Sequence, residues 1–199
     1  MQLKKTIFTL IAALAFSQIS YAGEKYSLDL SGGKVDFHAV GKPKMLKIHG
    51  EGKDAKGSFT VDGGKVTGKA TFDLSTLDTG IEMRNKHMKE KYLEVSKYPS
   101  AIFEFTDIQL PADMPANFDK EVPFKGKLTV HGVAQNVSGT AKMKREGGTL
   151  TGSAEFSTTV KNHKIELPSF AGITMADEVK VQVEFTGPLK QAGRSVAKK

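Results

Sequence analysis

Residues 137–156 read VSGTAKMKREGGTLTGSAEF, and their period of two decides the fold class. Val137, Gly139, Ala141 and Met143 share one side of an extended chain, while Ser138, Thr140, Lys142 and Lys144 share the other. Glu146-Gly147-Gly148 is a reversal signal, and Leu150, Gly152, Ala154 and Phe156 return on the apolar side. Such a segment is a hairpin with one wet face and one face that must be covered.

The same pattern extends outward in both directions. Upstream, Val35 and Phe37, then Leu46 and Ile48, then Phe59 and Val61, alternate with polar neighbours. Asp62-Gly63-Gly64 separates the last of these from Val66, Gly68, Ala70, Phe72 and Leu74. Ala101, Phe103 and Phe105 make a further run, and Phe124, Gly126, Leu128 and Val130 another; Val179, Val181, Val183 and Phe185 form the last. Eight or nine strands with one apolar face each predict an all-β protein, either a sandwich or a closed antiparallel up-and-down barrel of about eight strands. Gly68, Gly126, Gly139 and Gly152 fall on apolar faces rather than in turns. Glycine there either marks coiling points in a filled core or leaves room inside a barrel that encloses something. Lys and Glu crowd the opposite face, so the barrel is expected to face water and not lipid.

One segment breaks the alternation. Residues 79–95, TGIEMRNKHMKEKYLEV, place Ile81, Arg84, Met88, Tyr92 and Val95 on one helical stripe. This predicts a short helix near residues 82–94, ended by Tyr98-Pro99 because proline disfavours helical geometry in the residue before it. Arg84 is the anomaly on that stripe. Its guanidinium either lies in water beyond an apolar stem or forms a planar fork for a phosphate, carboxylate or carbonyl head group at the rim. His87 lies off the stripe.

Composition limits the chemistry. The 199 residues contain no Cys, which excludes disulfides, thiolate catalysis and thiol-ligated metals. The five histidines show neither His-x-His nor His-Glu-x-x-His spacing, and there is no Gly-x-Ser-x-Gly, phosphate loop or dinucleotide fingerprint. No metal, cofactor or enzymatic activity is expected. Lys4 and Lys5, the apolar run Ile7–Phe16 and Ser20-Tyr21-Ala22 read as a secretory signal cleaved after Ala22, which places the remainder in the periplasm. Loss of Lys4 and Lys5 takes the formal charge from +7 to +5. The lysines are scattered, without the clustering and interleaved aromatics that nucleic acid would need. Three segments are therefore expected: a signal at 1–22, one barrel domain at 23–188 and a flexible basic tail at 189–199.

With these residues in view, the chain resembles the YceI-like family of exported bacterial proteins. The resemblance is carried by Thr79-Gly80, Arg84, His87-Met88-Lys89, Tyr92-Leu93, Val95, Lys97-Tyr98-Pro99 and Phe103, and again by Leu128-Thr129-Val130-His131-Gly132-Val133 with Val137. It implies a lipocalin-like barrel whose interior holds a long-chain lipid, polyisoprenoid or related, with the helix near the opening. Three departures stand out: Asn85 where the family usually has Asp, the apolar stretch Lys164–Ala176 before the last strand, and the absence of Trp, which separates the chain from true lipocalins.

The expected function is that of a carrier for an isoprenoid quinone, a prenyl phosphate or a fatty acid derivative. Phe37, Phe59, Phe72, Phe103, Phe105, Leu128, Val130, Phe156 and Val183 are expected to line the tunnel, with Arg84, His87 and Met88 at the head group. The bound lipid is the only ligand. Transient contact with a membrane surface, and a homodimer through an edge strand of a partly open barrel, are further expectations. Two rival classes remain: a lipid-modifying enzyme, and an envelope stress protein that docks a partner through the apolar segment Leu167–Ile173.

Overall fold

The computed structural model describes residues 24–42, 46–170 and 173–192. The alternating runs form β1 (Lys25–Lys42), β2 (Lys47–Asp62), β3 (Lys65–Asp73), β4 (Ser100–Asp107), β5 (Asn117–Val130), β6 (Val133–Glu146), β7 (Thr149–Thr159), the two-residue β8 (Ser169–Phe170) and β9 (Ile173–Gln191). Every neighbouring pair is antiparallel, and β9 pairs with both β7 and β1. The eight long strands therefore close an up-and-down barrel, with β8 a short addition to the start of β9. Closure removes the open edge on which the expected strand-to-strand dimer rested.

Two local features bend the ring. In β1 the inward residues are Leu28 and Leu30, then Gly33, Val35 and Phe37, because an extra residue at Gly32 (φ +69°) switches the inward parity. In β2 the switch occurs at Asp54 (φ +64°), between Gly52 and Ala55, and the register sets Gly33 opposite Ala55. Paired bulges at adjacent positions make a corner in both strands.

The two ends of the barrel differ. At the base, the β4–β5 connection folds inward as a plug whose Ile108, Leu110 and Met114 are 1–3% exposed. Leu110 N–H donates to Gly64 O at 2.8 Å, and the Arg145 guanidinium donates to Met114 O. Tyr26, Leu28, Val61, Val66, Leu150 and Leu189 pack around this plug. At the other end the β3–β4 connection carries α1 (Glu82–His87), which continues through a π-helical turn at Met88–Tyr92. That turn changes the angular spacing of the residues after it, so Leu93 joins Met88 and Val95 against the upper core around Val35, Phe72, Leu74 and Leu77. Ile81, expected on the buried stripe, is instead 53% exposed, as is Met83 at 62%.

Register explains the inward glycines differently from the expectation of vacant space. Phe37 stands opposite Gly50, Phe59 opposite Gly68, Phe124 opposite Gly139 and Phe185 opposite Gly152, while Gly126 receives the ring of Phe103 from the diagonal position. A methyl group added at Gly126 would lie 2.3 Å from Phe103 Cζ, and at Gly152 2.7 Å from Phe185 Cζ. These glycines are seats for phenylalanine rings, which rest against the wall. The interior is kept hollow by rings folded onto glycine, and not by glycine alone.

Two further boundaries move. Leu189, Lys190 and Gln191, assigned to a tail, belong to β9; Leu189 pairs with Leu28 and is 6% exposed. The last strand starts at Ile173, so the final four residues of the apolar stretch Lys164–Ala176 are strand, paired through Thr174 and Met175 with Lys42 and Gly41. Residues 1–22, which carry the signal reading, and the tail from 193 onward lie outside the described residues.

Candidate functional site

Inward alternation from eight strands encloses a cavity of about 800 Å³ between the plug and the helical end. This is within the range of small-molecule sites, roughly 300–1,000 Å³. Its lowest walls are Leu28, Val61, Val66, Leu110 and Leu150. A belt of phenylalanines crosses the middle: Phe103 lies 5.0 Å from Phe105, 5.7 Å from Phe124 and 5.9 Å from Phe156, and Phe59 lies 5.6 Å from Phe105. Phe37, Phe72, Val181 and Val183 line the upper part, and Leu46, Ile48, Met83, Ile173 and Met175 surround the mouth. Among the described residues, the exposed large apolar side chains are Val40, Leu46, Ile81 and Met83. Three of these border the mouth; in the segment Leu167–Ile173 singled out from sequence, Leu167 and Ile173 are half-buried, and residues 171–172 lie outside the described residues.

The structure places all nine residues expected to line a tunnel on this wall: Phe37, Phe59, Phe72, Phe103, Phe105, Leu128, Val130, Phe156 and Val183. Arg84, His87 and Met88 line it too, at the helical end. His87 therefore shares the cavity with Arg84, although helical spacing set it off the stripe. Phe124, Phe185 and Met143 also line it, on the same inward strand faces as the residues expected from sequence. Thr158 continues the inward period of Leu150, Ala154 and Phe156 as a polar residue, whereas Leu110 and His163 lie in connections that have no strand period.

Arg84 does more at this end than project a charge. Its Nε donates to Thr79 Oγ1 at 2.8 Å and its Nη2 to Thr79 O at 2.5 Å. Thr79 is buried, and its N–H and Oγ1–H donate to Asn85 Oδ1 at 2.8 and 2.7 Å. Asn85 Nδ2 in turn donates to Asp78 Oδ1, which also accepts Gly80 N–H, both at 2.7 Å. These contacts hold the Asp78 carboxyl below the ordinary Asp range, the Gly80 backbone contact first and Asn85 second. Asp78 also exchanges both backbone bonds with Glu51 of β2, at 2.7 and 2.8 Å. The entry to α1 is thus latched to the barrel wall, and the Arg84 fork is part of the latch.

The far end of the helix has its own tie. Glu94 Oε2 lies 2.5 Å from His131 Nε2, and the His131 ring packs on Tyr98 at 4.4 Å. His131 is in the tight β5–β6 turn with Gly132, both at positive φ. A helix fixed at both ends forms one side of the mouth. Across the barrel, the turn after β7 brings His163, 2% exposed, against the wall. His163 Nδ1 lies 3.0 Å from Val133 O, and Nε2 lies 2.9 Å from Thr158 Oγ1. Burial pushes the His163 pKa below its ordinary value, outweighing the opposing backbone hydrogen bond to Val133.

The YceI-like domain model matches residues 26–187, which covers all but the last few residues of the barrel. The chain belongs to the YceI-like family. Within that family, a UPF0312 protein of Pseudomonas aeruginosa is 31% identical over 173 residues, spanning 80% of this chain and 85% of its own. Protein YceI of Salmonella newport is 30% identical over 146 residues, spanning 70% of this chain and 72% of its own. Among solved structures, a polyisoprenoid binding domain from Saccharophagus degradans superposes with a TM-score of 0.64 at 17% identity, covering 84% of this chain and 98% of that one. Burkholderia cenocepacia BcnA superposes with a TM-score of 0.62 at 22% identity, covering 77% and 95%. At these identities the solved structures share the fold. In this chain Asn85, one of the departures from the family resemblance, serves the latch as a neutral amide that accepts from Thr79 and donates to Asp78.

Proposed function

We propose that this protein is a periplasmic carrier for a long-chain lipid, isoprenoid or related, with the tail inside the barrel and the head at the helical end. The observation that carries the reading is the apolar cavity of about 800 Å³, plugged at the base and reaching the surface beside α1. Each buried methylene contributes ~0.8 kcal/mol. A chain of about fifteen carbons therefore gains on the order of 12 kcal/mol gross, enough to offset the several kcal/mol that association costs. The structural neighbour from Saccharophagus degradans is a polyisoprenoid binding domain, which supports the same class of ligand. Residues 1–22 support export. Exposed Leu46, Ile81 and Met83 beside Lys47 and Lys86 make the mouth the face that would meet a membrane surface during exchange.

The test is organic extraction of protein purified from the periplasm, followed by mass spectrometry, and rebinding of isoprenoid lipids to the stripped protein. A copurifying long-chain lipid and saturable rebinding are expected. Empty protein that rebinds nothing rejects the carrier reading, and processing at a site other than Ala22, or retention in the cytoplasm, rejects the assigned location.

A further inference from the structure

The Thr158–His163 pair narrows the carrier reading, on which its own role as a subsite rests. Both residues line the cavity near its mouth, on the side formed by β7 and the turn after it. Their protons are fixed by elimination. Val133 O can only accept, so the hydrogen of the neutral imidazole is on Nδ1, 3.0 Å away. Nε2 then has a lone pair and no hydrogen, so the Thr158 hydroxyl must donate to it across 2.9 Å. Thr158 Oγ1 has spent its one hydrogen. It still offers the cavity acceptor capacity, in a wall that is otherwise almost wholly apolar, where an unpaired acceptor is costly and a paired one gains.

We propose that Thr158 Oγ1, oriented by His163, is a head-group subsite for a neutral hydrogen-bond donor, and that the preferred ligand carries a long-chain alcohol head in place of a carboxylate or phosphate. An anionic head has no hydrogen to give and would set its charge against an oxygen lone pair. The cations on the facing helix do not reverse this choice. Arg84 gives its Nε and Nη2 to Thr79, and His87, Lys91 and Lys56, which also line the cavity, are exposed to solvent, where water screens their charge.

The test measures dissociation constants of geranylgeraniol, its methyl ether and geranylgeranoic acid for the stripped wild-type protein, Thr158→Val and Thr158→Ser. The alcohol should bind wild type and Thr158→Ser alike and lose about tenfold on Thr158→Val, the ratio that one neutral hydrogen bond gives. The ether should stay within about twofold on all three proteins, which also shows that Thr158→Val retains a folded tunnel. An alcohol indifferent to Thr158→Val, or an acid that binds wild type most tightly, overturns the proposal and leaves the carrier reading standing. Failure of all three compounds to bind wild type overturns both. Because a hydroxyl on a histidine lone pair is also the form of a nucleophile with its base, wild type is incubated with geranylgeranyl acetate; release of the alcohol, absent in Thr158→Val, would overturn the passive role given to the hydroxyl.

Discussion

Gly126 and Gly139 look equivalent in sequence, and the structure separates them. A Cβ at Gly126 meets the far end of the Phe103 ring at 2.3 Å, which can swing away into the lumen. At Gly139 the nearest atom is a backbone carbonyl, Glu155 O, at 2.1 Å, and only a shift of β7 relieves it. Gly126→Ala should therefore cost little stability in urea, less than about 1 kcal/mol, while weakening a bound tail. Gly139→Ala should cost about 1–3 kcal/mol. A Gly126→Ala variant that binds lipid as well as wild type would show that Phe103 does not yield into the tunnel. At Arg84, loss of two charge-assisted bonds to buried Thr79 should destabilise Arg84→Ala by about 1–3 kcal/mol, measured by urea unfolding, well beyond an exposed substitution. His163 gives a pH dependence whose sign is set by its depressed pKa. The folded state resists protonation, so stability is complete above the ordinary value of about 6.5 and is lost as pH falls below it, until the depressed native pKa is passed. Between pH 7.5 and 5, wild type should lose more stability than His163→Gln, by at most about 1.4 kcal/mol per pH unit for this one group.

At the scale of elements, the strands were legible because a two-residue period reports which side chains share a face whatever the register. Register itself was not legible, and three features depend on it. The parity switches at Gly32 and Asp54 each need an extra residue whose place is set by the partner strand. The phenylalanine seats need to know which glycine lies opposite, as Phe124 does with Gly139. The π-helical turn at Met88–Tyr92 rotates the residues beyond it, so a stripe drawn at 3.6 residues per turn misses Leu93, while Ile81 leaves that stripe because it is the extended residue before α1 and has no helical phase. Ile108, Leu110 and Met114 carry no repeat for a different reason. They sit in an irregular connection, and burial there comes from what the loop covers, not from a repeat.

At the scale of the whole molecule, the cavity predicts how affinity depends on chain length. At roughly 30 Å³ for a water-sized group, about 800 Å³ holds on the order of 25 methylene-sized groups. Each methylene added within that limit should improve affinity by ~0.8 kcal/mol, close to fourfold, and those beyond it should add almost nothing. The phenylalanine belt offers a competing limit. If Phe103, Phe105, Phe124 and Phe156 hold their edge-to-face packing, a tail stops on them and the space down to Leu110 and Leu150 stays out of reach. The cavity is continuous past the belt in this structure, so the longer limit is the expected one. A series of straight-chain alcohols, measured by displacement of a fluorescent probe, distinguishes the two. A plateau near 25 carbons means the full depth is used; a plateau near half that length means the belt is the floor. In the second case Phe103→Ala should move the plateau outward, because it removes the ring that contacts three of its neighbours.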